Sequence, residues 1–231
     1  MNDDTAKELP HYAGHRERLR QRYLKNGIDS LTQYEAMELL LTYAITRRDV
    51  KPMAKALIKK FKGIRGVLDA DVEELTAING IGIQAALLLK LIKDINTIYL
   101  KEKLITGQIV ESPNDIIDYL KHAIGSLKEE MFMALFLNSK NEIVADEIIS
   151  EGIVNHAVVY PRKLFENALK HKATAIIIVH NHPGGVLKPS ENDIKLTKNL
   201  VNTANSLSIK IHDHLIVTNK GYLSFYEKGL I

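Results

Sequence analysis

The sequence predicts a multidomain protein of the α+β or α/β class, in which an all-helical domain over residues 1–102 precedes a mixed β-sheet flanked by helices over residues 108–231. Three observations predict this arrangement. Helix-start signals and helical periodicity fill the first hundred residues. Short β-branched and aromatic runs then alternate with helical stretches. Polar residues and a glycine at 101–107 separate the two patterns, and they indicate the domain boundary.

Two glycines in the helical domain predict a specialised connection. Gly80 and Gly82 stand in a run that resembles the turn of a helix-hairpin-helix. In that element the glycines allow a tight backbone, and amides at the start of the next helix hold a DNA phosphate without reading the bases. The alternative is a plain glycine-rich connection. The helices expected in this domain begin with a capping box at Thr32 and Glu35 and then span 51–62, 70–77 and 83–99.

The second domain opens with a helix and continues with alternating strands and helices. Ser112 and Pro113 supply an N-cap and a proline at the first helical position, which predicts a helix to about residue 124. The later alternation predicts a mixed sheet flanked by helices. Strands are expected at 131–138, 142–149, 209–217 and 222–226, with another ending at the histidines described below, and helices are expected at 161–170 and from 190 to about 207.

Composition excludes several classes of protein. No apolar stretch approaches the roughly eighteen residues that a membrane span needs, and the first residues lack the basic and apolar regions of a signal peptide. We therefore expect a cytoplasmic protein with no membrane partner. The chain contains no cysteine, which excludes disulfides, a structural zinc site closed by thiolates, and the Pro-Cys-x-x-Cys element of the zinc deaminases.

Basic charge is concentrated in the helical half. Residues 16–25 contain five basic side chains and one acidic side chain, and residues 47–62 contain seven basic and one acidic, whereas the whole chain has a net charge of only +3. Such clustering is typical of a surface that binds nucleic acid. Non-specific, salt-dependent binding of DNA or RNA is therefore one hypothesis, and a solvated lysine face is the alternative.

The segment 180–193 predicts a metal site formed by a strand, a loop and the start of a helix. A β-branched run at 176–179 indicates a buried strand, and the period-two alternation of a strand places His180 and His182 on one face. Asp193 is expected in the first turn of the following helix. Two imidazoles and a carboxylate form a recurrent ligand set for catalytic zinc, which keeps a fourth position open.

Simpler interpretations of the same residues exist. Ser190 and Asp193 match a capping box, which needs no metal. A His-x-His pair at a strand end is often structural, and the chain contains a second such pair at His212 and His214. No carboxylate-bearing loop follows this second pair, so we expect it on a neighbouring strand or in support of the ligands, because metal-bound histidines usually hydrogen-bond to a further group.

The pattern His180-x-His182, seven residues, Ser190, two residues and Asp193 resembles the JAMM motif of the JAB/MPN metalloproteases. The surrounding sequence resembles the RadC-like branch of that family. Three positions depart from the usual RadC-like pattern: Gly184 replaces a serine, Ile153 replaces a threonine and Asn138 replaces an aspartate. None of them is an expected ligand, so they concern substrate contacts rather than metal binding. Further similar segments lie at 11–20, 130–138, 151–163 and 213–217.

The resemblance implies a JAB/MPN fold, which is cytidine-deaminase-like, and a set of catalytic roles. His180, His182 and Asp193 would hold one Zn²⁺ per chain, which lowers the pKa of bound water toward about 7 and polarises a carbonyl. Glu130 would be the general base. Ser190 would donate a hydrogen bond to the oxyanion. Without the motif, Glu130 would equally fit an exposed charge at the start of a strand.

The function that the resemblance implies is zinc-dependent cleavage of a peptide or isopeptide amide bond in a protein or peptide substrate. The main alternative is a nucleic-acid-binding accessory protein with a vestigial metal site, since RadC-like proteins are often labelled as DNA-repair proteins. A metal-dependent nuclease is a third hypothesis. It is less favoured because a single zinc site lacks the paired carboxylates of two-metal phosphodiester chemistry.

Overall fold

The computed structural model of the protein describes residues 13–105, 113–151 and 159–231. The described residues up to Asp94 form one compact unit, and those from Ile95 onward form a second. The first is helical and the second contains a mixed five-stranded sheet flanked by helices, which confirms the predicted fold class. The division between the units lies before the boundary expected at 102–108, and part of that expected boundary is outside the described residues.

The helical unit is built from short helices around one apolar core. The predicted capping box between Thr32 and Glu35 is present at the start of the second helix. Core side chains such as Met37, Leu57 and Leu89 are at most 1% exposed. The helices are α1 (Ala13–Asn26), α2 (Gln33–Ala44), α3 (Lys51–Phe61), α4 (Ile64–Asp69), α5 (Val72–Thr76) and the start of α6 (Ile83–Ile105), with a 3₁₀ turn at Ile28–Ser30.

Part of the basic charge in this unit stabilises the fold. The guanidinium of Arg16 donates hydrogen bonds to the backbone carbonyls of Ile45, Thr46 and Arg48, just after the end of α2. Arg22 lies 2.6 Å from a carboxylate oxygen of Glu35. Arg16 thus holds the segment that follows α2, and Arg22 pairs with a carboxylate in the first turn of the same helix. The charge of residues 16–25 therefore has a structural use.

α6 is the longest of the described helices, and charged residues interrupt its apolar character. Lys90, Lys93 and Asp94 lie near its middle, and more charges follow near its end. Within the parts of the chain that the structure describes, no helix combines the length and the apolarity that crossing a bilayer requires.

The second unit contains a sheet of strand order β2-β1-β3-β4-β5. β3 and β4 are parallel, and the other neighbouring strands pair in the antiparallel sense. Parallel neighbours need a crossover connection, which α9 provides here. The elements are α7 (Pro113–Ala123), β1 (Met131–Leu137), β2 (Ile143–Glu151), α8 (Pro161–Lys170), β3 (Ala175–Asn181), α9 (Glu191–Ser206), β4 (Lys210–Val217) and β5 (Tyr222–Ser224).

The alternation of side chains along β3 separates two apolar layers. Ile176 and Ile178 pack with residues of α8 and α9, whereas Val179 packs with residues of α7. By the same alternation His180 belongs to the face covered by α9, and Asn181 belongs to the face covered by α7. The strand thus presents two polar side chains to opposite faces at its carboxyl end.

Candidate metal centre

The two motif histidines lie together where β3 ends. His180 is the penultimate residue of the strand and is 2% exposed. His182 follows the strand, and its amide donates a hydrogen bond to the Val217 carbonyl at 3.1 Å, which extends the pairing with β4. This extension keeps the alternation, so both rings point to one face. Their Nε2 atoms are 3.0 Å apart.

Asp193 joins the histidines from the first turn of α9. Ser190 is the N-cap: its Oγ accepts from the Asp193 amide at 3.1 Å, and its own amide donates to Asp193 Oδ2 at 2.6 Å. The same carboxylate lies 3.7 Å from Nε2 of His180 and 3.7 Å from Nε2 of His182. Helix capping and clustering with the histidines are therefore compatible roles of one side chain.

The geometry of this cluster fits a small divalent cation. Ligand atoms of His180, His182 and Asp193 all lie within 4.8 Å of one another. A tetrahedral zinc site with bonds of about 2.0 to 2.2 Å places its ligand atoms about 3.3 Å apart. The distances of 3.0, 3.7 and 3.7 Å bracket that value. Small side-chain adjustments would suffice for all three residues to hold the ion.

A hydrogen bond orients His182 so that its Nε2 atom can bind a metal ion. Nδ1 of His182 lies 2.7 Å from the carbonyl oxygen of Val186, which can only accept. Nδ1 therefore carries the proton, and in the neutral ring the lone pair of Nε2 faces His180 and Asp193. Gly185 has a φ of 74°, a conformation that favours glycine, in the turn that returns Val186 to the ring.

Electrostatics in the cluster favour the charged form of the His182 imidazole over that of His180. The hydrogen bond with Asp193 raises the pKa of His182 against the opposing effect of burial. Burial lowers the pKa of His180 to about 4. Burial also tends to raise the pKa of Asp193, but His182, His180 and the Ser190 amide together hold it well below its usual range. Metal binding would therefore compete with protonation of His182 more than with protonation of His180.

We expect zinc affinity to fall as pH falls through the imidazole range. Below its raised pKa, His182 must lose a proton to bind metal, so affinity should fall by about tenfold per pH unit, the slope for one displaced proton. Competition titration with a chromophoric chelator at several pH values measures this. His212→Asn is the control, because His212 hydrogen-bonds to Asn141 instead. A constant affinity from about pH 6 to about pH 8 would contradict the assignment.

Two family models match the chain. The RadC-like JAB domain matches residues 110–230, and the UPF0758 N-terminal domain matches residues 11–87. The first match covers more than half of the chain. The chain belongs to the RadC-like family. All five strands of the sheet and the His180, His182 and Asp193 cluster lie within the RadC-like JAB domain, which supports a JAMM-type site.

Glu130 lies directly before β1 of the RadC-like JAB domain. The antiparallel register places Phe132 opposite His180, and alternation puts Glu130 on the same face as Phe132. Glu130 is partly buried, and its charge contributes to the raised pKa of His182. The structure thus brings Glu130 into electrostatic reach of the cluster, and its role as general base stays a prediction.

Asn181, between the two motif histidines, is a residue that sequence reasoning did not single out. Its side chain is completely buried. Oδ1 accepts from the Met131 amide at 2.7 Å, and Nδ2 donates to the carbonyls of Leu127 and Glu129 at 3.2 and 3.0 Å. These bonds hold the backbone on both sides of Glu130. One feature of the sequence could have indicated its role: Asn181 is a polar residue in a buried strand, and the alternation of the strand directs its side chain away from the two histidines.

Replacing Asn181 by alanine is expected to reduce the free energy of unfolding by about 2 to 5 kcal/mol, because three hydrogen bonds between a buried side chain and partly buried backbone groups would be lost. Urea unfolding of the metal-free protein measures this. Asn202→Ala is the matched control, since Asn202 is exposed on α9, and there the change should stay within about 0.5 kcal/mol. Equal effects of the two substitutions would show that the Asn181 hydrogen bonds add little stability.

Some of the remaining predicted residues of the RadC-like JAB domain lie beside the cluster of His180, His182 and Asp193, and others lie away from it. Ser190 is exposed at the start of α9, and its role at an oxyanion stays a prediction. His214 contacts His180, whereas His212 does not join the cluster and hydrogen-bonds to Asn141. Asn138 accepts hydrogen bonds from the amides of residues 140 and 142 in the turn after β1, and Ile153 lies outside the described residues.

Gly80 and Gly82 lie in the other unit, in the connection between α5 and α6. Gly80 has a φ of 89°, a conformation that favours glycine, and the flexible end of the Met53 side chain lies beside it. The Gly82 carbonyl accepts from the amides of Ala85 and Ala86 and so begins α6. Glycine at position 80 is therefore favoured by the backbone conformation. Phosphate binding by this turn stays a prediction.

Proposed function

We propose that the protein is a zinc-dependent hydrolase of the JAMM type that cleaves a peptide or isopeptide amide bond. The observation that carries the proposal is the convergence of His180, His182 and Asp193, whose ligand atoms lie within 4.8 Å of one another. Membership of the RadC-like family supports the same site. A zinc ion held there would supply Lewis-acid activation of water and of the substrate carbonyl.

The side chains around the cluster have complementary roles in this proposal. Glu130 accepts the proton of the attacking water and later passes it to the leaving amine, as a general base and then a general acid. Its electrostatic influence on His182 supports this role. The Ser190 hydroxyl donates to the oxyanion of the tetrahedral intermediate. Its Oγ already accepts from the Asp193 amide, which leaves the hydroxyl proton available for donation.

The decisive experiment incubates the zinc-loaded protein with a peptide library and with a set of lysine-linked isopeptides, and it detects products by mass spectrometry. The proposal predicts cleavage that a chelator abolishes and that added zinc restores. Asp193→Ala should be inactive. Asp115→Ala is the matched control, because Asp115 also lies in the first turn of a helix but pairs with Lys103. If the amide substrates stay intact while nicked or branched DNA is cleaved, the proposal is wrong and the protein is a nuclease.

Nucleic-acid binding is a second candidate function, and it rests on the basic side chains around α3. Arg47, Arg48, Lys55, Lys59, Lys60 and Lys62 are all exposed there. Such a concentration of cations favours phosphate backbones and predicts an affinity that falls as salt rises. Filter binding at two salt concentrations distinguishes a binding module from an enzyme without nucleic-acid affinity.

A further inference from the structure

His214 is a buried imidazole that lies beside the metal cluster without belonging to its ligand set. It is 0% exposed. Phe225 stacks on its ring with centroids 4.5 Å apart, and Phe132 meets it edge-on at 5.7 Å. Its Nε2 lies 2.8 Å from Nδ1 of His180, and its Nδ1 lies 2.6 Å from the hydroxyl of Thr197. Both nitrogens of His214 thus have partners.

The direction of these hydrogen bonds follows from Thr197. The hydroxyl has one proton, and its 2.5 Å contact with the Asp193 carbonyl uses that proton, since a carbonyl can only accept. The Thr197 oxygen must therefore accept from Nδ1–H of His214. A second proton on this enclosed ring would place a charge among phenylalanines, which is costly. Nε2 of His214 is consequently an acceptor.

Because Nε2 of His214 is an acceptor, it determines which ring nitrogen of His180 carries the proton. The bond between them requires a donor, so the proton of the neutral His180 ring lies on Nδ1. The lone pair then lies on Nε2, which is the atom closest to His182 and Asp193. Asp193 participates twice, because its carboxylate joins the cluster and its carbonyl orders the chain of hydrogen bonds.

We propose that Thr197 and His214 are positioning residues that hold His180 in its metal-binding tautomer. The inference rests on the proposed zinc site and deepens it. Ligating histidines depend on such partners for ring orientation and basicity, and loss of a partner typically lowers metal affinity by about tenfold to a hundredfold. In this chain the partner of His180 is another imidazole, whose own tautomer is set by a threonine on α9.

The test compares Thr197→Val with Thr197→Ser and Thr203→Val. Thr197→Val removes the hydroxyl with little change of shape, whereas Thr197→Ser keeps it. Thr203 makes the same type of hydrogen bond to a backbone carbonyl on α9 without touching an imidazole. Long-range ¹H–¹⁵N NMR spectra of the metal-free proteins, above the ordinary imidazole pKa, report the tautomer of His180. Competition titration reports zinc affinity.

We expect Nδ1–H on His180 in the wild type, in Thr197→Ser and in Thr203→Val. In Thr197→Val the Nε2–H form should appear, and zinc affinity should fall by about tenfold to a hundredfold. A wild-type His180 protonated on Nε2, or a Thr197→Val protein with unchanged tautomer and affinity, would overturn the inference. Because the wild-type spectrum needs no metal and no variant, it tests the relay even if the protein binds no zinc or the variant does not fold.

Discussion

Replacing Glu130 by glutamine is expected to slow amide hydrolysis by roughly a hundredfold to ten-thousandfold, the usual contribution of a positioned general base. Glutamine has nearly the same shape but cannot take a proton from water. Zinc binding should persist, because Glu130 is not one of the three clustered ligands. The measurement is kcat on the best substrate of the peptide and isopeptide screen, together with the zinc content of the purified variant.

Glu129→Gln provides the matched control for this prediction. Glu129 is the neighbouring carboxylate, it is exposed, and its backbone carbonyl rather than its side chain meets Asn181. The same chemical change there should leave kcat within about twofold, as expected for a surface substitution away from the site. Equal losses in both variants, or full activity of Glu130→Gln, would remove Glu130 from the mechanism.

Two substitutions of Asp193 are expected to separate its two roles. Asp193→Ala should lower zinc affinity by more than the roughly hundredfold typical of losing a group that only hydrogen-bonds to a ligand. It should also lower stability by about 1 kcal/mol, because the reciprocal capping contacts with Ser190 are lost. Asp193→Asn keeps an oxygen that can accept from the Ser190 amide but removes the charge.

We therefore expect Asp193→Asn to recover most of the stability and little of the zinc affinity. Urea unfolding in the presence of a chelator measures the first quantity, and competition titration measures the second. Recovery of wild-type zinc affinity in Asp193→Asn would show that the carboxylate charge is unnecessary. Loss of both quantities to the same degree in the two variants would indicate that the cap and the metal site cannot be separated.

The local part of the site could be predicted from sequence because each step depends on neighbouring residues. The alternation of a strand places His180 and His182 together, and the capping box places Asp193 in the first turn of the helix. The strands and helices of the second domain follow from similarly local patterns. The structure brings the three predicted ligands together, while their role in binding zinc stays a prediction.

The supporting contacts could not be predicted because they depend on the register between distant segments. Asn181 reaches the backbone before β1 only because β1 and β3 pair as they do. His214 meets His180 because β4 runs parallel to β3, and it meets Thr197 because α9 packs over the same face. Periodicity assigns a face to each residue, but it does not reveal the partner found on that face.

The helical unit shows the same limit of local reasoning. The sequence predicts a concentration of basic charge in residues 16–25, whereas the Arg16 guanidinium donates to carbonyls about thirty positions away and Arg22 pairs with Glu35. Chain composition therefore overstates the charge available to nucleic acid in that segment. Residues 47–62 retain more exposed cations, so the test of nucleic-acid binding concerns mainly α3 and its flanks.

Zinc content is the measurement that tests the central claim most directly. The protein is purified without added metal and without a histidine tag, and the wild type, His182→Ala and His212→Ala are compared by elemental analysis. We predict about one zinc per chain in the wild type and in His212→Ala, as expected for a single three-ligand site, and none in His182→Ala. No zinc in the wild type even after zinc is supplied, or full retention of zinc in His182→Ala, would contradict the proposed metal centre.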